Sequence, residues 1–180
     1  LEELFSIEQY VEMALQFSRL SAKSTDFVIG EVSLDKVVRE AIHKYARLFV
    51  RKKIKMELSF IDTQVLTDEK WLEFVIEQIL SNAIKYTAGG TISVYLKEEP
   101  EQETKELVIE DTGIGIAPED LPRIFEKGYT GYNGHADKRS TGIGLYLCRK
   151  IMRKLSHEIT IESEIGVGTK VHLEMRSRDK

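Results

Sequence analysis

One stretch of the chain carries three polar side chains that could act together in chemistry. At 100° per residue, Gln78, Asn82 and Lys85 fall within about 60° of one another on a helix that the apolar spacing predicts from Asp68 to Tyr86. An amide oxygen is a neutral ligand for a hard cation such as Mg²⁺, and a lysine ammonium suits phosphate oxygens. A solvated helix face would show the same pattern, because polar stripes are common on amphipathic helices.

Two glycine motifs lie at the predicted ends of secondary structure. Asp111-Thr112-Gly113-Ile114-Gly115 follows an apolar strand, where a carboxylate can accept a hydrogen bond from an exocyclic amine and glycines let a ring approach the backbone. Aspartic proteases share the Asp-Thr-Gly triplet, but they need a paired aspartate and the chain holds no second copy. Ser140-Thr141-Gly142-Ile143-Gly144-Leu145 opens a helix, and free N–H groups at a helix start favour a phosphate.

The segment from Thr112 to Thr141 has little periodicity. Irregular segments longer than ~12–15 residues are uncommon unless they are functional or disordered. This one contains Phe125 and Tyr129, and its lysine and arginine residues are Lys127, Lys138, Arg139 and Arg123. Aromatic and basic side chains in such a segment favour a lid that closes over an anionic ligand.

The elements that must position these residues alternate between helix and strand, which predicts a two-layer α/β fold. Helices are predicted over residues 1–20, from Ser33 or Asp35 to about Arg51, from Asp68 to Tyr86 with Thr67 as its cap, and over Ile143–Leu155. Strands are predicted over Phe27–Val32, Lys55–Phe60, Thr91–Lys97, Glu106–Asp111, Glu158–Glu162 and Thr169–Met175. The first helix has a narrow apolar seam at Leu4, Ile7, Val11 and Ala14. That seam fits a coiled coil and fits packing on the chain's own domain equally well.

Composition limits the classes of function. The 180 residues are 42% hydrophobic and 31% charged, which fits one domain with an appendage, and the net charge of −4 argues against a nucleic-acid binder. A single cysteine, Cys148, excludes a disulfide framework, and no apolar run is long enough for a membrane span. A polar stretch ending at Asp26 predicts a boundary between residues 1–25 and a domain over 26–180. Because the chain begins at Leu1, we interpret it as a fragment.

The order of the motifs is more specific than any one motif. Asn-x-x-Lys-Tyr on a helix, Asp-x-Gly-x-Gly, a phenylalanine-bearing loop, Gly-x-Gly at a helix start and Gly-x-Gly-Thr form the series of the histidine-kinase ATP-binding domain. The chain resembles that domain from about Asp26 to Met175. The domain belongs to the GHKL superfamily, shared with gyrase, mismatch-repair MutL and ninety-kilodalton heat-shock chaperones. Segments beginning at Phe125 and Ser140 resemble the intramembrane-sensing kinases of Gram-positive bacteria, which respond to bacitracin and other cell-envelope peptides.

The resemblance implies a Bergerat-type sandwich, with a mixed sheet on three helices, that binds Mg-ATP. It implies that Asn82 coordinates Mg²⁺ and that Asp111 binds the amino group of adenine. Gly142 and Gly144 would hold the phosphates. With the basic lid residues included, the predicted nucleotide-binding residues are Asn82, Lys85, Tyr86, Asp111, Gly113, Gly115, Lys127, Lys138, Arg139, Thr141, Gly142, Ile143, Gly144, Leu145 and Thr169. Those predicted to act in catalysis are Gln78, Asn82 and Lys85.

The resemblance also implies transfer of the γ-phosphoryl group rather than hydrolysis. Gyrase and MutL place a water-activating glutamate where this chain has Gln78, and the nearby Glu77 points ~140° away from Asn82 on a helical wheel. Lys85 likewise replaces an aspartate of those ATPases. Gln78 also departs from the asparagine common in kinases, as Ser140 departs from their glycine.

A kinase of this kind needs an acceptor histidine, which we expect this chain to lack. Its four histidines are His43, His135, His157 and His172, and none is followed by the acidic residue and proline typical of an acceptor. Residues 1–25 would then be the end of a dimerisation helix and a linker. The implied parent is a homodimeric plasma-membrane protein with this domain in the cytoplasm and a response regulator as partner. A nucleotide-binding regulatory module without phosphoryl transfer is the alternative.

Overall fold

The computed structural model describes residues 2–22, 26–59, 61–97, 103–131 and 142–177. The elements are α1 (Glu2–Ser21), β1 (Gly30–Ser33), α2 (Leu34–Lys44), α3 (Ala46–Arg51), β2 (Lys55–Leu58), β3 (Gln64–Thr67), α4 (Glu69–Tyr86), β4 (Thr91–Lys97), β5 (Thr104–Asp111), a 3₁₀ turn (Leu121–Arg123), α5 (Gly144–Lys154), β6 (Glu158–Glu164) and β7 (Gly168–Arg176). Five strands form a mixed sheet in the order β2-β4-β5-β7-β6, in which β2 and β4 run parallel and the other neighbours antiparallel. Strands β1 and β3 pair separately as an antiparallel ribbon.

The core lies between one face of the sheet and the helices α2, α4 and α5. Alternate residues of each strand, such as Leu107 and Ile109 of β5, are buried toward the helices. Helix α4 is apolar on most of its surface and is buried along much of its length. Burying each large apolar side chain contributes about 1.5–3 kcal/mol. The predicted mixed α/β sandwich on three helices is confirmed.

The helix predicted to run to Arg51 is two helices, because the chain breaks at Tyr45. The N–H of Tyr45 reaches back only three residues, to the carbonyl of Ile42 at 3.1 Å, and its ψ is 6°. The Tyr45 side chain is buried, and its hydroxyl accepts a hydrogen bond from Gln9 of α1 at 3.1 Å. The break therefore coincides with a buried side chain that bonds to another helix.

Strand β3 lies in a region where we predicted no element, and this changes the start of α4. Thr67, predicted as the helix cap, ends the strand and bonds to His157 at 2.9 Å. The cap is Asp68, whose Oδ1 accepts from the N–H of Trp71 at 3.1 Å while Oδ2 accepts from the N–H of Val28 at 2.7 Å. Asp68 thus links the segment that precedes β1 to the first turn of α4.

Helix α1 uses one face to pack on the domain and leaves the other exposed. Met13, Phe17 and Leu20 contact the core. The predicted seam lies on the exposed face, where Leu4, Ile7 and Val11 are 62%, 56% and 55% exposed and Ala14 is exposed as well. Leu15, which is 54% exposed, extends this seam. Residues 23–25 of the predicted linker lie outside the described residues, so the domain boundary stays a prediction. None of the helices in the described ranges combines the length and apolarity needed to cross a membrane.

Candidate nucleotide-binding site

The predicted adenine end of the site lies at the end of β5 and β7, beyond their last buried apolar residues. Asp111, the last residue of β5, is opposite Thr169 of β7 in the ladder. Residues directly opposite each other point to the same face of a sheet. Both side chains therefore project toward the helices, one step beyond the buried pair Ile109 and Val171.

Asp111 is a desolvated hydrogen-bond acceptor. Its Oδ1 accepts from the N–H of Gly113 at 2.8 Å. Burial raises the pKa of Asp111 above its ordinary value, and the backbone N–H groups of Gly113 and Thr169 oppose that rise. A carboxylate in such surroundings is suited to accept a further hydrogen bond from an exocyclic amine.

Glycines permit three backbone segments to meet beside Asp111. A Cβ on Gly113 would lie 2.4 Å from the carbonyl oxygen of Tyr86, at the end of α4. A Cβ on Gly168 would lie 1.9 Å from the carbonyl oxygen of Asp111 itself. The close approach of α4, β5 and β7 therefore requires glycine at both positions.

The start of the predicted lid is fixed to the β6–β7 hairpin. Gly115 has a φ of +76°, and a Cβ there would lie 2.2 Å from the carbonyl oxygen of Glu164. The N–H of the next residue, Ile116, donates to Ser163 Oγ at 2.7 Å. The lid therefore leaves the sheet from an anchored point.

Ser163 is a candidate site residue that the sequence patterns did not indicate. The strand prediction ended at Glu162, whereas β6 continues to Glu164. Ser163 Oγ also donates to the carbonyl of Gly168 at 2.9 Å and lies 2.8 Å from Thr169 Oγ1. The alternation of Ile159 and Ile161 would have placed Ser163 on the inner face had the strand been extended by one residue.

The residues predicted to bind the phosphates lie on α4 and at the start of α5. Gln78 is 6% exposed, and its Oε1 is 3.2 Å from the position that a Cβ on Gly144 would take. Asn82 is partly exposed one turn later on α4. Lys85 follows, with its Nζ 5.3 Å from the centre of the Tyr86 ring. The structure thus places Gln78 next to Gly144. Asn82 and Lys85 follow on the same helix, and both are partly exposed.

Glu77 is turned away from this arrangement. Its Oε2 accepts from Lys44 Nζ of α2 at 2.7 Å, and its side chain is buried. An ion pair on the side of α4 that faces α2 holds the carboxylate there. Glu77 is therefore not placed to act as a base beside Asn82.

The predicted lid contacts the residue that follows it. The N–H of Gly128 donates to the carbonyl of Gly142 at 2.9 Å, and Gly142 has a φ of +66°. Lys127, a predicted phosphate contact, has its Nζ 4.7 Å from the centre of the Phe17 ring on α1. Of the other predicted lid and loop residues, Lys138, Arg139 and Thr141 lie outside the described residues. Ile143 and Leu145, at the start of α5, are partly buried.

The histidines that the structure describes have structural surroundings. His157 is buried beside Thr67, and burial lowers the pKa of His157 to about 4. His172, on the other face of the sheet, bonds to Glu106 at 2.5 Å and to Glu162 at 3.1 Å. His43 is exposed on α2, and His135 lies outside the described residues.

Residues 67–179 match the family described as histidine kinase-, DNA gyrase B-, and HSP90-like ATPase. The chain is 38% identical over 171 residues to the sensor histidine kinase YxdK of Bacillus subtilis, covering 94% of this chain and 53% of that protein. It is 35% identical over 167 residues to the sensor protein BceS of the same organism, covering 93% and 49%. The chain therefore spans about half the length of these curated relatives.

Among solved structures, the mycobacterial sensor histidine kinase MprB is similar with a TM-score of 0.71 and 24% identity, covering 85% of this chain and 100% of that one. At that identity the likeness supports the fold. The family match covers more than half of the chain. The chain belongs to the histidine kinase-, DNA gyrase B- and HSP90-like ATPase family.

Proposed function

We propose that this domain binds ATP together with Mg²⁺ and transfers the γ-phosphoryl group to a histidine of a dimerisation domain. One observation carries the choice of transfer over hydrolysis. Glu77, the glutamate next to Gln78, pairs with Lys44 on the far side of α4. The amide of Gln78, which cannot remove a proton from water, takes the place beside the start of α5.

Adenine recognition would rest on Asp111. Its second oxygen can accept a hydrogen bond from the exocyclic amine, while its first is held by Gly113. Thr169 lies opposite on β7 and adds a hydroxyl to the same edge. Gly113 and Gly115 allow the base to lie close to the backbone, as a flat ring requires.

Asn82 has the donor chemistry expected of a Mg²⁺ ligand in such a site. Within the described residues no cluster of three His, Cys, Asp or Glu side chains could hold a metal. Mg²⁺ often keeps several waters and takes the rest of its oxygens from one or two side chains and substrate phosphates. The amide oxygen of Asn82 fits that pattern. When bound, the ion would supply charge neutralisation for the phosphates.

The phosphates would bind between α4 and α5. The first turn of α5 has no side-chain cap, and the N-terminal end of a helix favours an anion such as a phosphate. Gly142 and Gly144 would let the phosphates approach the backbone there. Lys85 would add a point charge from α4. From the lid, Lys127, Lys138, Arg139 and Thr141 would complete the contacts, with Tyr86, Ile143 and Leu145 at the edge of the nucleotide. Catalysis would come from positioning and electrostatic stabilisation, which dominate phosphoryl transfer.

We also propose that the parent protein is a homodimer and a two-component sensor of the plasma membrane. The exposed seam of α1, formed by Leu4, Ile7, Val11 and Leu15, supports a helical partner such as a second copy. The relatives named above are sensor proteins about twice as long as this chain. A response regulator would receive the phosphoryl group from the histidine.

Phosphohistidine formation tests the proposal. The chain is mixed with the separately prepared dimerisation domain of its parent protein and with γ-labelled Mg-ATP. We expect acid-labile label on the dimerisation domain and none on this chain. Label on one of this chain's own histidines would contradict the missing-acceptor account. Tight nucleotide binding without any labelling would favour a regulatory module instead.

A further inference from the structure

A row of polar side chains crosses the end of the sheet. In the ladder Ser163 of β6 is opposite Thr169 of β7, which is opposite Asp111 of β5. Directly opposed residues share a face, so all three side chains point toward the helices. The row forms the wall of the proposed adenine site, and the inference therefore rests on the proposed function.

The bonds of Ser163 determine where every proton in this row lies. A serine hydroxyl has one proton and two lone pairs. The carbonyl of Gly168, at 2.9 Å, can only accept, so it takes the serine proton. The N–H of Ile116, at 2.7 Å, can only donate, and occupies one lone pair. The contact with Thr169 Oγ1, at 2.8 Å, then needs the threonine hydroxyl to donate to the remaining lone pair of Ser163.

Because its proton is used in the bond to Ser163, the Thr169 hydroxyl can only accept a hydrogen bond from a ligand. Asp111 also presents only acceptors, because it is a carboxylate that already receives the Gly113 N–H. An edge of acceptors matches the amino group of adenine, which has two N–H donors. It opposes guanine, which presents a carbonyl oxygen at the same ring position.

We propose that Ser163 is a positioning residue that sets base selectivity, by holding the Thr169 hydroxyl as an acceptor toward the base. The bond from Ile116 extends this role to the lid. The Ser163 oxygen that orients Thr169 also accepts from Ile116, at the start of the lid, which we call the lid root. The wall of the proposed adenine site and the lid root therefore depend on one hydroxyl.

The test compares three nucleotides on three proteins: the unsubstituted chain, called the parent chain below, and two variants. Binding of Mg-ATP, Mg-GTP and the Mg complex of purine riboside triphosphate, which lacks the 6-amino group, is measured for the parent chain, Ser163→Ala and Ser163→Thr. We expect Ser163→Ala to weaken ATP binding about tenfold, the value of one hydrogen bond, and to lower the preference for ATP over GTP at least as much. Purine riboside triphosphate should bind nearly as before, and Ser163→Thr should keep the ATP preference.

Equal losses for all three nucleotides would overturn the proposal, since a merely structural role lowers every affinity together. Thr169→Val provides a second route that does not depend on how Ser163→Ala folds. It should reduce the ATP preference by a similar factor, and an unchanged preference would also overturn the proposal. Failure of the parent chain to bind Mg-ATP would instead contradict the proposed function. A parent chain that prefers ATP while Ser163→Ala keeps that preference would contradict the role of Ser163 alone.

Discussion

The adenine end and the phosphate end of the proposed site are built in different ways. At the adenine end, strand residues in ladder register hold Asp111 and Thr169, and backbone segments meet too closely for any Cβ at Gly113. At the phosphate end, side chains stand on a helix face, with Asn82 and Lys85 partly exposed. The first end is fixed by the backbone, and the second depends on single side chains and a loop.

This difference implies a division of labour in binding. A site whose donors and acceptors are fixed before binding loses little entropy when a ligand arrives. Long exposed side chains such as Lys85 must lose rotamer freedom to make their contacts. We therefore expect the adenine end to be formed in the free protein, and the phosphate end to gain its order from Mg-ATP.

The largest effect should come from adding a methyl group at the fixed end. Gly115→Ala would place a Cβ 2.2 Å from the Glu164 carbonyl oxygen, at a φ of +76°. We expect it to lower the free energy of unfolding by roughly 2–4 kcal/mol, combining overpacking with backbone strain, as measured by urea denaturation.

Gly128→Ala is the matched control for that variant. Gly128 has a φ of +79°, but an added Cβ would meet nothing within 4 Å. Only the backbone term remains, so we expect a loss of roughly 1 kcal/mol. Equal losses at the two glycines would show that the anchoring of the lid root is weaker than the structure indicates.

Changing the carboxylate that reads the base should have the next largest effect. Asp111→Asn replaces an acceptor by an amide that can present a donor to the amine, and we expect ATP affinity to fall about 10- to 100-fold. The fold should not lose stability, because burial disfavours the charge of Asp111. Titration calorimetry and urea denaturation measure the two quantities.

Glu110→Gln controls for the general loss of a carboxylate. Glu110 is the neighbouring strand residue and bonds to Tyr95 on the other face of the sheet. Its replacement should leave nucleotide affinity unchanged. Unaltered ATP affinity in Asp111→Asn would refute the assignment of the adenine end.

At the phosphate end, a single substitution should affect only the part of binding that depends on magnesium. We expect Asn82→Ala to weaken Mg-ATP binding about tenfold, as the loss of one metal ligand would, and to leave adenosine binding as it was. Affinities measured with and without Mg²⁺ should converge in this variant. A magnesium effect of undiminished size would place the ligand on another residue.

The smallest effect concerns pH. Because the pKa of Asp111 is raised by burial, its acceptor is lost as pH falls through that raised pKa, earlier than for an exposed aspartate. Adenosine, which carries no titrating phosphate, should therefore bind more weakly as the pH falls, and the midpoint of that loss should lie above the ordinary pKa of an aspartate. The Glu110→Gln variant should keep a pH dependence but with a lower midpoint, because the charge of Glu110 also raises the pKa of Asp111. A flat profile in the unsubstituted chain would mean that the carboxylate does not contact the base.

The same contrast explains what the sequence could predict. Helix α4 and the strand that ends at Asp111 follow from local spacing, because helical and strand periodicity need no knowledge of neighbours. The break at Tyr45 coincides with burial of that side chain and a bond from Gln9 of another helix, which local spacing does not report. Ser163 acquires its role only when β7 and the lid root lie beside it. Local patterns thus indicate the residues proposed to contact a ligand more readily than those that hold them in place.

The most direct test of the account is calorimetric titration of the chain with Mg-ATP, Mg-GTP and adenosine. We expect Mg-ATP to bind well and with clear preference over Mg-GTP, since the fixed acceptors at Asp111 and Thr169 match adenine. Adenosine should bind more weakly and without dependence on Mg²⁺, because it engages the adenine end alone. Equal affinity for Mg-ATP and Mg-GTP, or adenosine binding that requires Mg²⁺, would contradict the division between the two ends.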